Sequence, residues 1–305
     1  MIGDHREGDV IGAYRVDTIV GTGGMGCVYR ARHALSERVV ALKVQRADQQ
    51  QQTRVRERMM REASILAQLT HYGIPRFHEL GLLDDGRAWI AMELVAGTSL
   101  SRRLARGALP PAEVMIVIGA VAEVLGAAHA VGITHRDLKP DNIFLTPHDP
   151  IFPLRVLDWG IAHRHQGPRF TNIDQAIGTP TYMSPEQASG GPTAGHCDVY
   201  GLGVLAYYLL AGEVPFSGTS PIDTLLAHVN RQLVPLAPRC PEAPIMLVEL
   251  VERMLSKSYA LRPTAMEIAQ ELGTFSVNDC APEYCAYSLD CSGAEPTAPL
   301  RRVVD

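Results

Sequence analysis

The chain is short of features that mark several protein classes. Its six cysteines show no CxxC spacing. Cys27, Cys197 and Cys240 are scattered, which suits reduced thiols better than a disulfide framework. Cys280, Cys285 and Cys291 cluster near the C-terminus without a histidine close by, which argues against a zinc site. There is no basic excess: the net charge is −5, whereas a general nucleic-acid binder is usually basic. Met1–Val10 is polar and holds no apolar run, so no signal peptide is read there. No internal repeat is evident. Val114–Ile133 is apolar and about as long as a bilayer span, but Glu123 and His129 interrupt it. Val199–Ala211 is too short to span. Both are expected to be buried helices.

What is present fits a soluble globular protein. The 305 residues are 46% hydrophobic and 20% charged. A chain of this length buries roughly three quarters of its unfolded surface, as one large domain or two lobes. Tyr14–Val44 alternates in a β-like way around glycines. Gln49–Gln52 reads as a solvated loop, and Arg54–Leu69 switches to helical spacing. Ile74–Leu83 and Ala88–Leu94 read as strands joined by the turn Asp84-Asp85-Gly86. The first ninety-odd residues therefore predict about five strands and one helix. After Gly97 the pattern is mainly helical. Pro110-Pro111 suits a helix start, and further helices are expected over Asp198–Ala211, Pro221–Arg231, Pro244–Ser256 and Ala265–Leu272. The class predicted is α+β in two lobes, 1–95 and 96–275, with a loosely ordered tail over 276–305.

Five motifs stand out. Gly21-Thr22-Gly23-Gly24-Met25-Gly26-Cys27-Val28 is a glycine-rich turn. A dinucleotide-binding turn would need a helix straight after the third glycine, but Val28–Arg32 reads as a strand. The glycines then sit in a hairpin, where a backbone without Cβ atoms can approach phosphate oxygens. On the glycines alone, a hairpin without a ligand is an equal reading. Lys43 ends Val39–Lys43, read as a strand, and a lone strand-end lysine is usually just solvated. His135-Arg136-Asp137-Leu138-Lys139-Pro140-Asp141-Asn142 is the densest motif, and no packing argument needs that polar set in eight residues. Asp158-Trp159-Gly160 follows, then Gly178–Glu186.

In order and spacing these motifs resemble a serine/threonine protein kinase. Met183-Ser184-Pro185-Glu186-Gln187 is similar to the eukaryotic-like (Hanks-type) kinases of bacteria. The resemblance implies the bilobal protein-kinase fold: a small antiparallel sheet lobe with one helix, and a larger helical lobe. It implies ATP as substrate and magnesium as metal, with manganese as a substitute. Gly21–Val28 would cover the phosphates. Val28, Ala41 and Phe144 would pack around the adenine, with Met92 as gatekeeper and Glu93 to Val95 as the hinge. Lys43 would bind the α- and β-phosphates and pair with Glu62, with Glu57 as the fallback. Asp137 would take the proton of the attacking hydroxyl, and Lys139, a mark of serine/threonine specificity, would contact the γ-phosphate. Asn142 and Asp158 would hold the metal. Leu66, Phe77, His135 and Trp159 would stack in a column anchored by Asp198, although each is also a plausible core residue. Trp159 departs from the family's usual phenylalanine. Thr179 would position the substrate hydroxyl, and Glu186 would pair with Arg262. Arg136 would take a phosphate from the activation segment, with Thr171 as first candidate and Thr181 as second.

Three functions compete at this level. The leading one is phosphoryl transfer to protein serine and threonine hydroxyls, with autophosphorylation. A pseudokinase scaffold would usually lack Lys43, Asp137 or Asp158, and a kinase acting on small molecules generally lacks the Gly178–Glu186 segment. The resemblance further implies protein substrates and homodimers through the small lobe. With no membrane span or nucleic-acid partner read, the expected location is cytoplasmic.

Overall fold

The structure, a computed structural model, describes residues 4–23, 26–47, 52–159 and 180–273. Strands β1 (Val10–Ile11), β2 (Tyr14–Thr22), β3 (Gly26–His33), β4 (Val39–Gln45), β5 (Phe77–Leu82) and β6 (Ala88–Glu93) form one antiparallel sheet. Their order is β1-β2-β3-β4-β6-β5. Residues paired across such a sheet share a face. The register Val28↔Lys43, Lys43↔Ile90 and Ala41↔Met92 therefore puts Val28, Ala41, Lys43, Ile90 and Met92 on one side. Tyr29, Ala31, Val40, Leu42, Val44, Trp89 and Ala91 lie on the other, in a core completed by Ile11, Tyr14 and Val16. Helix α1 (Gln52–Gln68) covers the first side, packing Met59 and Ala63 with Ala88 and Ile90. Strand alternation thus puts Lys43 on the sheet face that α1 covers.

Two expectations shift here. The strand expected over Ile74–Leu83 begins only at Phe77. Pro75 lacks a donor for the ladder, and Ile74 bonds back to the His71 carbonyl in a turn. A sixth strand also appears, because the two-residue β1 is too short to show a period.

The second half is built on helices α2 (Leu100–Leu104), α3 (Pro111–Ala130), α4 (Pro185–Ala188), α5 (Gly195–Ala211), α6 (Pro221–Asn230), α7 (Ile245–Met254) and α8 (Ala265–Leu272). Helix α3 is long and apolar enough to cross a membrane, but 67% of its apolar window is buried inside the protein. It packs against α5, α8 and the strand β9 (Leu154–Val156). An all-round apolar helix is explained by neighbours on several sides. Helix α5 begins at Gly195 and so includes Asp198 within its first turn. Caps fix the helix ends: Ser184 with Gln187 and Thr264 with Glu267 form capping boxes, and Gly212 closes α5 at φ 75°. A second sheet, β7 (Thr98–Ser99), β8 (Ile143–Leu145) and β9, carries the polar loops on its ends.

His228 on α6 is fully buried beside Phe216, and its Nδ1 lies 3.0 Å from the Tyr200 hydroxyl. Burial, helped by the Lys257 charge, pushes its imidazole down to about 4. The unfolded chain then takes up a proton below pH 6.5 that the folded chain refuses until about pH 4. Stability from this group is complete above pH 6.5 and is lost as pH falls toward 4. Between pH 7 and pH 5 the expected loss from His228 is about 2 kcal/mol. Urea unfolding of His228→Leu at both pH values should show a shallower decline than the wild-type chain.

Candidate active site

Three segments far apart in sequence meet at Lys43. Its ammonium donates to both Glu62 carboxylate oxygens at 2.9 Å and to Asp158 Oδ1 at 2.8 Å. Strand β4 supplies the lysine, α1 the glutamate, and the turn after β9 the aspartate. Of the two glutamates weighed for Lys43, the partner is Glu62. Lys43 and Glu62 are 6% and 2% exposed, while the Asp158 side chain is 42% exposed. Burial alone would lower the Lys43 pKa, but the charges of Glu62 and Asp158 raise it above the ordinary lysine range. Burial would raise the Asp158 carboxyl, but the Lys43 charge and hydrogen bond hold it below the usual range. Burial raises Glu62 against the pull of Lys43; with two carboxylates facing one ammonium, the proton belongs on the lysine.

The loop His135–Asn142 lies below this cluster. Lys139 Nζ sits 2.8 Å from Asp137 Oδ2, and the Asn142 side-chain amide donates to the Asp137 carbonyl at 2.8 Å. That bond uses the amide nitrogen of Asn142 and leaves its oxygen as an acceptor-type ligand. The Asn142 carbonyl accepts from the Leu157 N–H at 2.7 Å, which ties this loop to the residue before Asp158. The loop is held from beneath by Asp198 of α5. Its carboxylate accepts from His135 N at 2.8 Å and Arg136 N at 2.7 Å, and lies 2.8 Å from His129 Nε2. Arg136 and Asp158 have φ of 65° and 58°, a left-handed region costly for non-glycine residues.

Trp159 is fully buried and meets the His135 ring edge-on, 4.9 Å between centroids. Leu66 and Trp159 share one core cluster, with Phe77 packed against it. Val28 and Ala41 lie on the Lys43 face of the sheet, and Phe144 on β8 is half-buried. Met92 and Glu93 end β6. The Glu93 N–H donates to the Arg76 carbonyl, its carboxylate takes the Arg76 N–H, and the half-buried Val95 follows.

A Cβ on Gly26 would stand 2.2 Å from the Val44 carbonyl oxygen, so the close pairing of β3 with β4 requires glycine there. Among the described residues, a Cβ on Gly21 or Gly23 would meet at most a contact at 3.9 Å. Protein packing does not explain those two glycines, and an open cradle suits phosphate oxygens. Thr22, at the end of β2, and Cys27, buried in β3, frame the same turn. No group of three or more histidine, cysteine or carboxylate side chains that could hold a metal is found among the described residues. The pair Asp158 and Asn142 nonetheless fits magnesium, which takes one or two protein oxygens and fills its octahedron with water and phosphate.

Other expected residues fall elsewhere or outside the description. Gly24, Met25, Gly160, Thr171, Thr179 and the tail 276–305 with Cys280, Cys285 and Cys291 lie outside the described residues. Thr181 lies in the 3₁₀ turn 180–182, half-buried. Several contacts had no signal in the sequence. Arg155, 6% exposed, bridges Asp149 at 2.5 Å and Glu93 at 3.4 Å behind the end of β6. Ser101 on α2 donates to Asp141 at 2.8 Å, and the Trp159 indole donates to the Val156 carbonyl at 2.8 Å. None of these pairs has a spacing rule that could have revealed it.

The protein kinase domain family model matches residues 14–272 of the chain. Serine/threonine-protein kinase pkn3 of Myxococcus xanthus is 38% identical over 263 residues, which cover 83% of this chain and 48% of that protein. Serine/threonine-protein kinase pkn2 of the same organism is 37% identical over 267 residues, or 86% and 32%. Serine/threonine-protein kinase PknE of Mycobacterium tuberculosis is 32% identical over 256 residues, or 84% and 44%. The chain thus spans between about a third and a half of the length of these curated relatives.

Beside the loop, Arg262 donates to Glu186 through both terminal guanidinium nitrogens, Nη1 and Nη2, at 2.7 and 2.9 Å. The two side chains are 0% and 8% exposed. Burial would raise the Glu186 carboxyl, but the Arg262 hydrogen bonds and charge hold it below the ordinary range. Removing one partner strands the other charge. Arg262→Met should lower the unfolding free energy by about 3–5 kcal/mol, and adding Glu186→Leu should recover part of it. Denaturant unfolding of both variants measures this.

Proposed function

The chain belongs to the protein kinase domain family, and on that premise we propose that it transfers the γ-phosphoryl group of ATP to serine and threonine hydroxyls of proteins. The observation that carries this reading is the Lys43 ammonium shared between Glu62 and Asp158, over a loop holding Asp137, Lys139 and Asn142. A scaffold without activity is not favoured, because Lys43, Asp137 and Asp158 are all present.

Residues 1–95 and 96–275 are taken as the two lobes, with the nucleotide in the cleft between them. Val28, Ala41, Met92 and Phe144 would flank the adenine, and Glu93 to Val95 would present backbone groups to its edge. The backbone of the glycine turn and the Lys43 ammonium would hold the phosphates. Asp158 and the Asn142 amide oxygen would hold magnesium, or manganese in its place, which supplies positive charge against the phosphate oxygens. Asp137 orients the acceptor hydroxyl and takes its proton. The hydroxyl oxygen bonds to the γ-phosphorus as the bond to the β–γ bridging oxygen breaks, releasing ADP. Lys139, paired with Asp137, would offset charge on the transferred group. Catalysis of this kind is mostly positioning and charge stabilisation.

The partners are proteins with accessible serine or threonine, in the cytoplasm. Self-association by pairing of small lobes follows the same resemblance, and the net charge of −5 argues against nucleic acid as a partner. Arg136 would take a phosphate on Thr171, with Thr179 close to the acceptor hydroxyl.

Asp137→Asn should lower transfer of labelled phosphate to casein, to myelin basic protein and to the chain itself by roughly 10²–10⁴-fold, while ATP affinity stays within a few-fold. Wild-type turnover in that variant would sink the assignment of roles. Incubation with ATP and magnesium should add phosphate at Thr171, read by intact mass and peptide mapping. A fully active chain without that modification would remove Thr171 from the scheme.

A further inference from the structure

The tryptophan after the metal-binding aspartate does more than fill space. Its indole N–H donates to the Val156 carbonyl at 2.8 Å, and the ring is fully buried against His135. Val156 is itself fixed: it pairs with Ile143 in the sheet, and its N–H donates to the Gly73 carbonyl at 2.8 Å. Between these anchors the Leu157 carbonyl lies 2.9 Å from His135 Nε2, and Asp158 adopts its left-handed φ of 58°. The indole bond therefore closes a ring from 156 to 159 around Asp158, whose backbone is strained. A phenylalanine ring would occupy most of the same space but has no donor, so it would leave the buried Val156 carbonyl without this bond.

We propose that Trp159 is a positioning residue whose indole N–H latches Asp158 in the orientation that meets Lys43 and the metal-bound nucleotide, in the unmodified chain. The inference rests on the kinase reading above. Relaxation of a strained residue is opposed by every bond that spans it, and this bond spans Asp158 directly. Losing one buried hydrogen bond shifts such an equilibrium by roughly fivefold to tenfold.

The test separates the metal-dependent part of nucleotide binding from the rest. ATP and adenosine are titrated into the phosphatase-treated full chain with and without magnesium chloride, for wild type and Trp159→Phe. The expected result is a loss of roughly fivefold to tenfold in the magnesium-dependent gain in ATP affinity. Adenosine affinity should stay within about twofold, because the ring still fills its pocket. A second arm covers misfolding of the variant. The chain has two tryptophans, and among the described residues the Trp89 indole nitrogen has no hydrogen-bond partner. Global replacement of both indoles by the isosteric benzothiophene analogue removes the Trp159 bond and keeps the ring shapes. It should reproduce the magnesium-dependent loss. An unchanged magnesium gain in both arms overturns the latch. So does an equal loss for adenosine, which would mean a packing role. A wild-type chain that gains nothing from magnesium overturns the ATP reading along with it.

Discussion

One buried charge organises the molecule. The Lys43 ammonium sits almost out of solvent, and an isolated charge in that position would cost several kcal/mol. Glu62 and Asp158 offset it, approaching from α1 and from the turn after β9. The position of α1 on the sheet and the position of the turn that carries Asp158 are therefore linked through one atom. Two carboxylates against one ammonium also leave a net negative charge. It faces outward, because the Asp158 side chain is exposed while that of Glu62 is not. A site of that sign is suited to a divalent cation.

The same economy appears beneath the loop that carries Asp137. A single buried carboxylate, Asp198, takes the backbone N–H groups of His135 and Arg136 while Arg136 holds a left-handed φ. Hydrogen bonds to a charged acceptor are stronger than neutral ones, so they can hold a backbone strained by about 1–3 kcal/mol. Because Asp198 belongs to α5, a helix buried over most of its length, the loop inherits the rigidity of the core. The Glu186–Arg262 pair fixes the neighbouring segment in a similar way, and Gln187 reaches back to the Arg136 carbonyl at 3.3 Å.

Much of this was legible from residue order. The glycine turn, Lys43, the His135–Asn142 loop and Asp158 were recognisable because their chemistry is dense and their spacing regular. Helix α8 was placed to the residue, and in the structure Thr264 caps its start and Gly273 its end. Boundaries slipped where a local effect overrode the period, as Pro75 did at the start of β5. The Lys43–Glu62 and Glu186–Arg262 pairs were expected from the resemblance, but other bonds that fix the site were not legible. His129 to Asp198, Arg155 to Glu93 and Trp159 to Val156 join residues by position in space. Trp159 itself stood out in the sequence, but only as a larger ring.

The sequence alone determined which chemistry the chain carries, because side-chain types and their intervals specify donors, acceptors and charges without reference to a fold. It also determined the division into a strand-rich part and a helical part, since periodicity is a local property. The tertiary structure alone decided that one lysine serves two carboxylates, that one aspartate holds a strained loop, and that an indole spans Asp158. The first two are contacts between segments as much as 115 residues apart, which only packing brings within bonding distance; the third depends on the turn geometry that packing sets.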